Sequence, residues 1–129
     1  MRRSLLRLPS VLALAALSAT GALAGEADVI GAKVTPTAPG VYRFDVTVRH
    51  ADSGWQHYAD RWEVLAPDGA VLATRELLHP HETEQPFTRS LSGVRVPAGL
   101  ETVRLRAHAS VHGYGGKELV VDIAGATTE

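Results

Sequence analysis

Six histidines are the residues whose types and spacing could support chemistry in this chain. All of them lie between positions 50 and 112, in three groups: His50 with His57, His79 with His81, and His108 with His112. Neutral imidazole is a good ligand for zinc, copper and nickel. The chain has no cysteine and its single methionine is Met1. Because Cu(I) sites usually need such sulfur ligands, imidazole with carboxylate favours Cu(II) or Zn(II) as the cofactor.

The segment His79-Pro80-His81 is the sharpest local element. In extended backbone, residues i and i+2 point to the same side, about 6.6 Å apart along the chain. Pro80 favours extended geometry at His79. We therefore predict that His79 and His81 hold one metal ion, and that His57 and His112 complete the site.

Carboxylates near the histidines could orient the ligating imidazoles by hydrogen bonds. Asp60 and Glu84 are the candidates that we favour for this role. His50 ends a row of inward-facing residues, and it is either a buried core residue or a ligand. His108 lies on the outward face of a predicted strand, and it is either a surface residue or a ligand. A pH sensor is a further interpretation, because clustered imidazoles titrate near neutrality.

The elements that position these residues follow from hydrophobic patterning. Apolar residues alternate with polar ones, and Gly, Pro or Asp interrupts the pattern every 8–12 residues. This pattern predicts seven short strands and no helix, at 29–35, 41–49, 58–65, 71–78, 87–94, 102–111 and 119–123. Pro36 and Pro39 are expected to close the first strand. The predicted fold is an all-β, seven-stranded antiparallel sandwich of two sheets, in which all three histidine groups converge on one end.

The strand count, together with Trp62 on the third strand, resembles immunoglobulin-like and fibronectin type III-like domains. The resemblance covers residues 29–123 and implies an immunoglobulin-like sandwich. The disulfide of antibody domains is absent, since the chain has no cysteine. A fold that supports many functions implies none in particular.

Residues 1–24 have the pattern of a secretory signal peptide. Arg2, Arg3 and Arg7 form a basic start, an apolar run follows, and Ala22-Leu23-Ala24 is a small-x-small cleavage site. The apolar run is shorter than the roughly 20 residues that span a bilayer. We therefore predict a signal peptide at 1–24, a domain at 25–129 that starts at Gly25, periplasmic or secreted localisation, and no stable membrane span after cleavage.

Charge and the remaining motifs limit the function. Residues 25–129 contain ten Lys and Arg and fourteen Asp and Glu, so their formal net charge is negative. A negative charge argues against nucleic acid as a partner. No catalytic signature surrounds any serine, so we do not expect an enzyme. The predicted function is a carrier, buffer or delivery protein for Cu(II) or Zn(II). The alternative is a protein-interaction or adhesion module, in which Trp55 and Tyr114 at the same end contact a periplasmic partner.

Overall fold

Residues 25–124 are described by the computed structural model, and they form seven strands. The strands are β1 (Asp28–Ala38), β2 (Val41–Arg49), β3 (Ala59–Leu65), β4 (Val71–Glu76), β5 (Phe87–Arg95), β6 (Thr102–Ala109) and β7 (Leu119–Asp122). This part of the chain contains no helix, and hence none long and apolar enough to cross a membrane. The predicted signal peptide at 1–24 lies outside the described residues, as do residues 125–129.

The strands form two antiparallel sheets. The first sheet has the order β1-β2-β5, and the second has the order β4-β3-β6-β7. The predicted seven-stranded sandwich is therefore confirmed, and β2 has the predicted bounds. The strand β1 continues past Pro36 to Ala38 and ends directly before Pro39, so the prediction is wrong for Pro36 and confirmed for Pro39. Among the described strands β1 lies at the edge of its sheet and pairs with β2, and a proline without an N–H is tolerated in such a strand.

The core lies between the sheets and follows the predicted alternation. Buried residues alternate with less buried ones on β2 and on β6. The inward-facing side chains of these two strands are Phe44, Val46, Val48, Val103, Leu105, Ala107 and Ala109. Trp62 on β3 and Phe87 on β5 are buried between the sheets. The period of two is thus satisfied on both inner faces, because successive side chains of a strand point to opposite sides.

Three connections meet at one end of the sandwich, as the sequence predicted. The end of β2 pairs with the starts of β1 and β5. The start of β3 pairs with the ends of β4 and β6. The connections at 50–58, 77–86 and 110–118 therefore emerge at the same end. We call this end, with the terminal residues 108 and 109 of β6, the histidine pole.

Removing a core side chain should destabilise the protein far more than removing an exposed one. Leu105 is fully buried, whereas Leu78 is 74% exposed. We expect Leu105→Ala to lower the free energy of unfolding by about 2–5 kcal/mol, through lost burial and the cavity left behind. The matched Leu78→Ala variant should change it by no more than about 0.5 kcal/mol. Urea titration measures both values, and equal effects would contradict the described core.

Candidate metal centre

The histidine pole holds two separate groups of imidazoles. His57 lies between His50 and His112, with ring centroids 4.9 Å and 5.3 Å away, in edge-to-face contact. We call these three the histidine cluster. His79 and His81 form a pair whose ring centroids are 4.6 Å apart. The structure thus divides the four predicted ligands into two pairs, and no ring contact within residues 25–124 joins one pair to the other.

His50 is a member of the cluster that the sequence left undecided. Its side chain is fully buried, and Nδ1 lies 2.5 Å from Oδ1 of Asp52. The other ring nitrogen, Nε2, lies 3.3 Å from the carbonyl oxygen of Gly25. In metal-ligating histidines a carboxylate commonly holds one ring nitrogen while the other binds the ion. In His50 that second nitrogen contacts Gly25 instead.

His57 and His112 are held by the connections on which they lie. Nδ1 of His57 is 3.3 Å from the hydroxyl of Ser53. Its Nε2 is buried and has no hydrogen-bond partner in the described part of the chain. His112 is exposed in a tight turn closed by two backbone hydrogen bonds between Ala109 and Gly113. Gly113 has a φ of 69°, a conformation that glycine adopts without strain.

The pair His79 and His81 differs sharply in burial. His79 is exposed, and its Nδ1 lies 3.0 Å from the carbonyl oxygen of Pro80. His81 is buried and stacks on Phe87 at 4.0 Å, and neither ring nitrogen has a hydrogen-bond partner among the described residues. Its Nδ1 lies 3.9 Å from Oδ2 of Asp52. Burial, and then the positive charge of Arg89, lower the pKa of His81 below its ordinary value. The neutral imidazole, which is the metal-binding form, is therefore favoured.

Asp52 is the carboxylate that organises the pole, and the sequence analysis did not choose it. Besides contacting His50, it accepts hydrogen bonds from the backbone N–H of Ala59 at 3.0 Å and of His81 at 2.6 Å. Its two oxygens thus link the histidine cluster to the pair. The His50-x-Asp52 spacing was the available signal, because alternate residues of an extended chain point the same way.

Gln85 is a second positioning residue that sequence reasoning missed. Its side-chain oxygen accepts a hydrogen bond from the backbone N–H of His50 at 3.0 Å. Its side-chain nitrogen donates to the carbonyl oxygen of His81 at 2.9 Å. The amide therefore holds the two histidine-bearing connections together.

The two favoured carboxylates have other partners. Oδ1 of Asp60 lies 2.6 Å from Nδ1 of His108. Glu84 is exposed and forms an ion pair with Arg89 at 2.9 Å. In the described part of the chain, neither carboxylate hydrogen-bonds one of the four predicted ligands.

The predicted interface residues also differ in their surroundings. Trp55 is 64% exposed and lines a shallow groove with His79 and Pro80. Tyr114 is held more firmly, since its hydroxyl accepts from Arg61 at 2.8 Å and donates to Glu63 at 2.9 Å. Of the two, Trp55 is therefore the freer to contact a partner.

Side chains alone do not assemble a complete metal site. Within residues 25–124, no group of three or more His, Asp or Glu side chains is placed so that it could hold an ion. The histidine cluster nevertheless contains the donor type that Cu(II) and Zn(II) prefer, with a buried nitrogen that has no hydrogen bond. The residues present therefore fit such an ion in donor type, but the described side chains alone do not form a site for it.

Comparison with known proteins gives one informative relative. A protein named "Putative lipoprotein" from Halomicrobium mukohataei is 42% identical over 103 residues, which cover 80% of this chain and 50% of that protein. The chain thus spans about half the length of the curated relative that it matches. No protein-family model matches the chain, and no solved structure matches it.

Loss of the Asp52 charge should destabilise the pole. Asp52→Asn replaces an acceptor with an NH₂ group that faces N–H donors, so we expect the free energy of unfolding to fall by about 1–3 kcal/mol. Asp68→Asn is the matched control, because the amide keeps the oxygen that accepts from Ala70. Denaturant titration measures both. Equal stabilities of the two variants would show that Asp52 does not organise the pole.

A second carboxylate, Glu63, should make stability depend on pH. Burial alone would raise the pKa of Glu63, but hydrogen bonds from Arg106, Tyr114 and Arg61 lower it below the ordinary 4.5. A lowered carboxylate pKa stabilises the fold above that ordinary value, and this contribution is lost as the pH falls through the lowered pKa.

Glu63→Gln should therefore cost about 1–3 kcal/mol at pH 7. The difference from the unmodified chain should shrink as the pH falls below 4.5. Unfolding free energies from pH 3 to pH 7 measure this difference. A difference in unfolding free energy that stays constant from pH 3 to pH 7 would contradict the lowered pKa of Glu63.

Proposed function

We propose that this chain is an exported protein that binds Cu(II) or Zn(II) at the histidine pole, as a carrier, buffer or delivery protein in the periplasm or outside the cell. One observation carries the proposal. Three imidazoles, those of His50, His57 and His112, are in mutual contact through His57 at the end of the sandwich. The buried Nε2 of His57 has no hydrogen-bond partner among the described residues.

The cost of unpaired nitrogens supports this proposal. Buried polar atoms are nearly always hydrogen-bonded, and leaving one unpaired costs about 1–3 kcal/mol. An unprotonated imidazole nitrogen carries a lone pair that a metal ion can accept. Binding would satisfy Nε2 of His57. Nε2 of His50, whose ring is fixed by Asp52, would exchange its contact with the Gly25 carbonyl oxygen for the ion.

The relative's name supports the export part of the proposal. It describes a lipoprotein, and lipoproteins are exported proteins. This agrees with the signal peptide predicted at residues 1–24. The present sequence contains no cysteine, so none of its residues offers a thiol for lipid attachment.

The sequence-based choice of His79 and His81 stays a prediction within this proposal. The ring nitrogens of His81 are buried without hydrogen-bond partners in the described part of the chain, and the His79 ring is next to them. The proposal nevertheless assigns the ion to the histidine cluster, because three imidazoles meet there and two meet at the pair.

A protein-interaction module is the second candidate function. Trp55, Leu78 and Val111 are 64%, 74% and 59% exposed, and all three lie on connections of the histidine pole. Exposed apolar side chains that share one end of a domain are typical of contact surfaces, and tryptophan is the commonest anchor in them. Under this second candidate function the pole binds a partner protein, and the histidines do not form a metal site.

Titration of the exported chain with Cu(II) and Zn(II) tests the proposal. We expect one ion per chain, and at least about a hundredfold weaker binding in His57→Ala/His112→Ala, since even outer partners of a metal site cost ten- to a hundredfold. His79→Ala/His81→Ala should retain the affinity. His108→Gln is the matched control, because His108 pairs with Asp60 outside the cluster.

The same titration has two outcomes that contradict the proposal. If the unmodified chain bound Cu(II) and Zn(II) no more tightly than the triple variant His50→Ala/His57→Ala/His112→Ala, a metal function at the cluster would be rejected. If His79→Ala/His81→Ala lost the affinity and His57→Ala/His112→Ala kept it, the ion would bind at the pair and not at the cluster. Far-ultraviolet circular dichroism of each variant separates lost binding from lost folding.

A further inference from the structure

The backbone of Gly25, the predicted first residue of the exported chain, lies within the histidine cluster. A Cβ atom built on Gly25 would be 2.3 Å from both Cδ2 and Nε2 of His112. The imidazole therefore packs against the Cα of Gly25 and leaves no room for a side chain. The Gly25 carbonyl oxygen is 3.3 Å from Nε2 of His50. Two of the three imidazoles thus touch this one residue.

The start of β1 is fixed by contacts that do not involve histidine. The backbone N–H of Val29 donates to the carbonyl oxygen of Lys117 at 2.9 Å, and the N–H of Lys117 donates to Asp28 at 2.7 Å. Gly116 approaches the Ala27 carbonyl so closely that a Cβ there would lie 2.0 Å from the oxygen. These contacts hold Ala27, Asp28 and Val29 against the connection before β7, at the end of the sandwich where Gly25 lies.

The contacts around Gly25 leave Nε2 of His57 unpaired. Nδ1 of His50 contacts Asp52, and Nε2 of His50 donates to the carbonyl oxygen of Gly25. Nε2 of His57 is buried and has no hydrogen-bond partner among the described residues. A ligand of this nitrogen must therefore be a group that is not among the described side chains, and a metal ion is a ligand that imidazole binds well.

We propose that the α-amino group of Gly25, released by cleavage after Ala24, is a ligand that completes the site together with His50, His57 and His112. This inference rests on the proposed function. It adds a backbone nitrogen to a cluster whose side chains alone do not form a metal site. The resulting set of four nitrogens suits Cu(II), which prefers tetragonal nitrogen coordination.

Cleavage would then control metal binding. In the uncleaved precursor, the nitrogen of Gly25 belongs to a peptide bond, and a peptide N–H is a hydrogen-bond donor without a basic lone pair. Removal of the signal peptide converts it into a primary amine. The complete site therefore forms only after export, and the precursor inside the cell has three imidazoles without the fourth nitrogen.

The test compares two forms of the chain that differ by one residue. A chain that begins at Gly25 keeps every strand and every core residue that the structure describes. One form is the exported chain, with its start at Gly25 verified by intact mass. The other begins at Ala24, which returns the Gly25 nitrogen to a peptide bond and displaces the amine by one residue.

Cu(II) affinity by competition titration and electron paramagnetic resonance are the two measurements. We expect the form that begins at Ala24 to bind Cu(II) at least about a hundredfold more weakly, with one nitrogen ligand fewer in its spectrum. Gly25→Ala keeps a free amine but places a methyl group against His112, so it should also weaken binding. Glu26→Gln is the matched control, which changes the next side chain and should keep the affinity.

Failure of this inference is distinguishable from failure of the proposed function. Equal affinities and equal spectra of the Gly25 and Ala24 forms would overturn the amine ligand while the cluster still binds metal. Absence of Cu(II) binding in both forms would overturn both proposals. An intact mass that shows a start other than Gly25 would overturn the amine ligand alone.

Discussion

The buried carboxylate of Asp52 is the constraint on which the histidine pole depends. It contacts the ring of His50 and accepts backbone hydrogen bonds from Ala59 and His81. These donors come from the exit of β2, the start of β3 and the connection before β5, so one side chain joins the two sheets at this end. A carboxylate that is fully buried must keep such partners, because an unpaired buried charge is very costly. The positions of His50 and His81 are fixed as a consequence.

The candidate metal centre draws its groups from both sheets. His50 follows β2 of the first sheet, His112 follows β6 of the second, and Gly25 precedes β1. An ion bound by all of them would cross-link the sandwich at the end where loops replace the sheet hydrogen bonds. Its binding energy would add to the stability of the fold, since it would bind only the folded chain.

The connection after β6 separates two kinds of chemistry. His108 faces outward from β6, where it pairs with Asp60 and contacts the ring of Tyr114. The turn between Ala109 and Gly113 then carries His112 back over Gly25. His108 therefore belongs to a polar network on the outer face of the sheet, whereas His112, four residues later, belongs to the histidine cluster at the end of the sandwich. Strand alternation followed by a tight turn is sufficient to divide them.

Local patterning was sufficient to predict seven strands, the two-sheet sandwich and the end at which the histidines gather, because alternation and turn residues act over neighbouring positions. It also predicted one site made of His57, His79, His81 and His112, whereas the structure brings His57 to His112 and His79 to His81 as separate pairs. Only the folded chain decided that His50 joins His57 and His112, that Asp52 and not Asp60 supports the cluster, and that β1 continues past Pro36. Those outcomes depend on which strands become edges and how connections from different sheets meet. Gly25 could not be found from side-chain spacing at all, because its contribution is backbone brought there by the fold.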